Sequence, residues 1–172
     1  MANDIEEPKY TLVRKYAEFE LRDYAPHVVA RTKMSGSYRD SLGGGFQRLA
    51  KFIFGGNTQR ASIAMTAPVA STHAGNDWFV TFSMPSAYSM QTLPRPNDSR
   101  VELVEVPAQR TAVLSFSGWV SQDKMNDKEH ALRSELARAR IETRGAAVLA
   151  QYNPPWTLPF LRRNEIQIPV AP

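Results

Sequence analysis

The sequence predicts an α+β fold: duplicated βαββ-type units, each read as β-β-helix-β-β, whose antiparallel strands curl into a distorted barrel flanked by two helices. Three observations carry this. Phe19-Glu20-Leu21-Arg22-Asp23 returns 82 positions later as Val101-Glu102-Leu103-Val104-Glu105, and at the same offset Ala30 meets Ala112 and Ser35-Gly36 meets Ser117-Gly118. Each Ser-Gly pair opens a helix-like stretch, and each half closes on a strand ending in proline, Met84-Pro85 and Ile168-Pro169. The other apolar residues alternate over short runs parted by turns, which implies antiparallel pairing with helices covering part of the sheet. Two such halves facing one another would share a cleft. The expected organisation is a flexible N-terminus over residues 1–9 and one domain over 10–172, with pseudo-repeats over about 10–85 and 99–170.

Tyr10–Arg14 alternates in β fashion, and Glu18–Tyr24 does so more clearly: Phe19 and Leu21 share one face, Glu18, Glu20 and Arg22 the other. Ala25-Pro26 breaks this strand, and His27–Met34 forms the next. Ser35-Gly36-Ser37 is a turn and helix start, since a serine oxygen caps free N–H groups. The first helix is predicted over Tyr38–Phe54, with Leu42, Phe46, Leu49, Ala50 and Ile53 on one stripe. Gly43-Gly44-Gly45 inside it costs about 2–3 kcal/mol relative to alanine. Either the helix starts after these glycines, or a flat ligand or another backbone lies close to them. Gly55-Gly56-Asn57 ends the helix.

Ile63–Ser71 is extended, with Pro68 suited to a sheet edge or bulge, and Asp77–Met84 is strongly β. Pro85–Asn97, with three prolines, is the expected connector. Val101–Val106 and Arg110–Phe116 are predicted to form a hairpin around Pro107-Ala108-Gln109. The second helix is predicted over Ser121–Thr143, burying Met125, Leu132, Leu136 and Ala139. Ala146–Tyr152 is a strand, Asn153-Pro154-Pro155-Trp156 a sharp turn, Leu158-Pro159-Phe160-Leu161 an apolar loop and Asn164–Val170 the last strand.

The formal charge of +4 and pI near 9.5 favour anionic partners. Lysines and arginines are scattered rather than gathered in a basic stripe with interleaved aromatics, so nucleic acid is not an expected partner. Cysteine is absent, which excludes disulfides, thiolate nucleophiles and Cys-ligated metal centres and fits a cytoplasmic protein. The acidic N-terminus is no secretory signal, and no apolar run approaches the ~18–20 residues of a membrane span. His27, His73 and His130 have no metal-pair spacing, and neither a nucleophile elbow nor a phosphate loop occurs. With no recognisable catalytic constellation, the chain is not expected to be an enzyme.

Two features and a cluster of cations remain. Tyr152–Arg163 holds large rings in a proline-stiffened loop beside two arginines: rings suit a flat apolar ligand and arginine forks suit carboxylates, although the loop could equally plug the barrel end. Arg48, Lys51 and Arg60 near the end of the first helix form a second cationic rim or ordinary solvated charge. Glu165 is the other feature: pointed inward it would be a cation binder or general base, pointed outward a surface partner of Arg162 or Arg163.

Phe19-Glu20-Leu21-Arg22-Asp23-Tyr24-Ala25-Pro26, Met65-Thr66-Ala67-Pro68-Val69, Tyr152-Asn153-Pro154-Pro155 and Arg162-Arg163-Asn164-Glu165-Ile166 occur in this order, and together they resemble the SOUL/haem-binding protein family over nearly the whole chain. The resemblance implies the duplicated fold, kinship with bacterial effector-binding domains, and non-covalent binding of haem or another tetrapyrrole as a soluble carrier or buffer. It implies a groove between the first helix and the loop before the last strand. The matching positions are Phe46, Leu49, Ala50 and Lys51 on the helix and Tyr152, Trp156, Leu158 and Phe160 on the loop. Gly43 stands where the family has a basic residue for a propionate, which leaves Lys51 and Arg162 as the propionate partners. Asp23 stands where some members carry an axial histidine, leaving His27, Met65 and Tyr152 as candidate iron ligands. The alternatives are a small-molecule-binding or hydrolytic domain with Glu165 in the cleft, and a protein-interaction module with an exposed apolar patch.

Overall fold

In the computed structural model, which describes residues 5–172, the elements run β1 (Tyr10–Lys15), β2 (Glu20–Tyr24), β3 (His27–Ser35), α1 (Tyr38–Ile53), β4 (Val69–Ala74), β5 (Asp77–Ser83), β6 (Val101–Val106), β7 (Gln109–Phe116), α2 (Gln122–Arg138), β8 (Val148–Gln151), a 3-10 turn (Pro159–Leu161) and β9 (Asn164–Pro169). After β1 the order is ββαββ twice, as the repeat predicts. The equivalence reaches the backbone: Gly36 and Gly118 both adopt left-handed φ, 111° and 95°, which a Cβ would resist. Each helix then starts on a serine cap. Ser37 Oγ accepts from Asp40 N at 3.2 Å, and Ser121 Oγ accepts from Lys124 N at 3.1 Å.

The chain forms two compact units. The first comprises Pro26–Pro107 with the segment ending at Pro8; the second comprises Lys9–Ala25 and Ala108–Pro172. In the first, strand order is β4-β5-β3-β6, all antiparallel, with α1 against β3 and β5. In the second it is β1-β2-β7-β9-β8, also antiparallel, with α2 against β7 and β9. The α+β class is as predicted.

The predicted β6–β7 hairpin does not form. β6 pairs with β3, from His27↔Val106 to Thr32↔Val101, and β7 pairs with β2 and β9. The cause lies in the connection, Pro107-Ala108. A two-residue hairpin turn needs positive φ at its centre; proline is fixed near −65°, and alanine resists the left-handed region. The equivalent Ala25-Pro26 parts β2 from β3 in the same way. Each repeat therefore sends its first strand into the unit built by the other.

The glycine triplet lies inside α1. A Cβ on Gly45 would meet Val80 Cγ2 at 2.6 Å, and one on Gly44 would meet Met34 Cε at 2.8 Å, whereas Gly43 has nothing within 4 Å. The close neighbour at Gly44 and Gly45 is thus the protein's own sheet. This rotates the helix relative to the predicted stripe: Tyr38, Ser41, Gly45, Leu49, Phe52 and Ile53 face inward, while Phe46 and Ala50 turn outward. Gly45→Ala is expected to lose about 1–2 kcal/mol, overpacking against Val80 exceeding the gain in helix propensity. Gly43→Ala should instead gain about 0.5–1 kcal/mol. Urea unfolding midpoints of the two variants check this opposition.

The first core gathers Ala30, Leu49, Phe52, Ile53, Ile63, Val80 and Phe82. In the second unit α2 buries Met125, Leu132 and Leu136 as predicted, and Leu149, Ile166 and Ile168 are fully buried. The helix stops at Arg138, short of Thr143, because Arg140 takes a left-handed φ of 57°. Of the N-terminal stretch expected to be flexible, Met1–Asp4 lie outside the described residues. Glu6 bridges to Thr66, and its carboxylate accepts from Ser86 N at 2.7 Å.

Candidate functional site

The outer face of α1 carries an apolar stripe. Gly43, Phe46, Ala50 and Phe54 recur at spacings of three and four, so they share one side of the helix. Phe46 is 39% exposed and Phe54 66% exposed, and Gly43 leaves open space beside them. Phe46 is held edge-on against Phe82, ring centres 5.4 Å apart. Arg39 and Lys51 add exposed cations toward the two ends of the helix. Of the residues predicted for this face, Phe46, Ala50 and Lys51 lie on or beside it. Leu49 is fully buried and supports the helix from beneath. Met65 is half-buried and packs on the first core. Arg48 donates to Thr32 Oγ1 at 2.8 Å and so serves the strand rather than a rim. Phe54 and Arg39 went unnoticed in the sequence, although counting in helical steps from Gly43 reaches both.

The second unit holds a buried polar cluster. Glu165 on β9 is fully buried. Arg22 Nη1, on β2, donates to Glu165 Oε1 at 3.2 Å and Oε2 at 3.1 Å. Oε1 also accepts from Tyr152 OH at 2.9 Å and Gln167 Nε2 at 2.9 Å, and Arg163 Nε lies 3.5 Å from Oε2. Arg22 further donates to Tyr24 OH at 2.9 Å and Glu20 Oε1 at 2.7 Å, with its guanidinium 4.2 Å from the Tyr10 ring centre. Glu165 is thus inward, as one reading had it, but its cation is Arg22, built into the protein. The pairing with Arg163 anticipated for a surface glutamate is present as the weaker contact. Desolvation alone would lower the Arg22 pKa, but its bonds to Glu20 and Tyr24 and the charge of Glu165 outweigh it and hold the group above its ordinary value.

Burial raises three phenols. Desolvation pushes Tyr24 up, pushes Tyr38 to about 12, and pushes Tyr152 higher still with the Glu165 charge adding to it. A raised folded-state pKa gives stability that is complete below the unfolded value, near 10, and lost as pH rises toward the folded value. Stability should therefore fall between pH 10 and 12, and Tyr38→Phe should flatten the fall by up to about 1.4 kcal/mol per pH unit in that window. Denaturant titrations at pH 9, 10.5 and 11.5 provide the measurement.

The loop before β9 keeps Trp156, Leu158 and Phe160 exposed. Arg162, predicted for a propionate, donates through Nε to Thr157 O at 3.0 Å and through Nη2 to Pro155 O, and it covers the Trp119 ring at 4.2 Å. Tyr152 commits its hydroxyl to Glu165 and its ring face to Arg163, 3.7 Å away.

Iron ligation finds less support. Asp23 is clamped by Arg110 across the β2–β7 pair, at 2.8 and 3.0 Å, and those bonds hold its carboxyl below the usual range. His27 is half-buried in β3 opposite Val106, His73 stacks on Trp78 with ring centres 3.7 Å apart, and His130 lies exposed on α2. Among the described residues no group of three or more His, Asp or Glu side chains is placed to hold a metal ion. No described helix is long and apolar enough to cross a membrane.

Heme-binding protein 2 from Homo sapiens is 31% identical over 157 residues, covering 86% of this chain and 76% of the relative. Heme-binding protein 1 from Xenopus laevis is 27% identical over 156 residues, covering 86% and 81%. Both are named as binding proteins rather than enzymes. The crystal structure of the EcmrR C-terminal domain shares the fold with a TM-score of 0.66 at 11% identity, covering 94% of this chain and 98% of that one. The profile of the SOUL heme-binding protein family matches residues 5–169, nearly everything described above, and the chain belongs to that family.

Proposed function

We propose that the chain binds haem or a related tetrapyrrole non-covalently and acts as a cytoplasmic carrier or buffer. The observation that carries this is the outer face of α1, where Gly43 and Ala50 leave a flat strip beside the exposed rings of Phe46 and Phe54. A planar apolar macrocycle matches such a strip, and Arg39 and Lys51 offer cations to its carboxylates. Burying a few hundred Å2 of porphyrin yields roughly 5–10 kcal/mol before ordering costs, enough for micromolar binding without a metal bond. The residues fit the ring and its propionates better than they fit the iron. Asp23 is engaged by Arg110, Tyr152 by Glu165, and Met65 is packed on the core. His27 is the remaining candidate ligand from the sequence.

Protein purified from cells supplied with a haem precursor should carry a Soret band, and His27→Ala should leave its position unchanged if the ring and propionates do the holding. A colourless preparation that stays so on haemin addition counts against the reading. The hydrolytic alternative needs Glu165 as a free base. Its carboxylate instead accepts from Arg22, Tyr152 and Gln167, which leaves it committed to structure.

A further inference from the structure

We propose that the exposed Trp119 and Trp156–Leu161 segments of the second unit dock on anionic lipid bilayers. Five large apolar side chains stand out on two neighbouring segments: Trp119 is 63% exposed, Trp156 83%, Leu158 54%, Phe160 71% and Leu161 61%. Single exposed apolar residues are ordinary, but a cluster of this size marks an interaction surface. The two segments are tied together. Gly118 N donates to Pro159 O at 2.8 Å, Asn164 Nδ2 donates to Gly118 O at 3.1 Å, and Arg162 lies over Trp119. Three prolines, Pro154, Pro155 and Pro159, stiffen the loop between. The loop backbone is thus stiffened before any partner arrives, so docking loses less loop entropy.

Charge complementarity selects the occupant. Arg162 follows the rings, Arg163 being engaged by Glu165 and Tyr152, and Lys124 and Lys128 sit at 5.6 and 5.5 Å from the Phe116 ring centre at the start of α2. Asp123 and Asp127 lie on the same turn and reduce the local excess of positive charge without reversing it. Indole and phenyl rings beside lysine and arginine suit the headgroup layer, where the rings reach the acyl boundary and the cations meet lipid phosphates. A flat protein partner would need a matching pocket for a ring as prominent as Trp156. The proposal draws only on residues of the second unit.

The test uses the whole, ligand-free chain with vesicles of phosphatidylcholine alone or with added phosphatidylserine. Flotation with the phosphatidylserine vesicles is expected, weakened by high salt, with a blue shift in tryptophan emission. Trp156→Ser combined with Phe160→Ser should lower the partition coefficient about tenfold or more, given the apolar area removed. Phe54→Ser, on the other unit, should leave it unchanged. Circular dichroism checks that the double variant folds. Should it not, brominated lipid decides the matter with the native chain: quenching of the two exposed tryptophans is expected, since Trp78 is buried. The proposal is overturned by a chain that ignores phosphatidylserine vesicles, by binding that survives the double substitution, or by a solution dimer that the double substitution dissolves.

Discussion

Arg22→Met should destabilise the protein by about 3–5 kcal/mol, because it leaves a buried carboxylate without its cation. Glu165 is fully buried and Arg22 is 4% exposed, so water cannot replace the lost partner. Tyr152 and Gln167 still donate to Oε1, but neither carries charge, and the Arg163 contact to Oε2 is longer at 3.5 Å. Glu165→Gln should cost less, since Glu20 continues to pair with Arg22 at 2.7 Å. Replacing Arg22 and Glu165 together by methionine should recover most of the loss, as apolar substitutes for a whole buried pair often do. Guanidinium unfolding of the three variants measures this. A loss under about 1 kcal/mol for Arg22→Met would mean that the pair is solvated in solution.

Phe46→Asp should weaken tetrapyrrole binding about 100-fold, roughly 2.7 kcal/mol. It removes a ring from the α1 stripe and sets a carboxylate beside a dianionic guest. The fold should survive, because Phe46 is already 39% exposed and its packing is mainly an edge contact with Phe82, worth about 1 kcal/mol. Fluorescence quenching by protoporphyrin IX, with circular dichroism as the control for folding, gives the comparison. Unchanged affinity in a folded Phe46→Asp variant would remove the α1 face from consideration.

Local signals in the sequence were enough for the helices and most strands. The Ser-Gly starts of α1 and α2, the buried Met125, Leu132 and Leu136, and the strand alternation of β5 and β9 each depend on neighbours within a few residues. What escaped depends on distant partners. Arg22 sits in β2 on the face shared with Glu20, which alternation assigns to solvent, yet it is buried because Glu165 meets it from 143 positions away. The β6–β7 hairpin failed because strand adjacency is a weaker constraint than the φ angles that Pro107-Ala108 can adopt. The glycine triplet was ambiguous for a related reason: only Val80 and Met34, from other strands, reveal that two of its members admit the sheet while Gly43 faces open space. Residues of the α1 face were partly legible, since Phe46, Ala50 and Lys51 came from the family resemblance, whereas Leu49 lies on the inward face that Gly45 brings against Val80.

The central claim is that an apolar face with flanking cations, rather than an iron ligand, holds the tetrapyrrole. Parallel titrations of the purified chain with haemin and protoporphyrin IX, followed by Soret absorbance and tryptophan quenching, test it most directly. Both should bind in the micromolar range with dissociation constants within about tenfold of each other, a difference of no more than about 1.4 kcal/mol. Binding of haemin alone, or of neither compound, would contradict it.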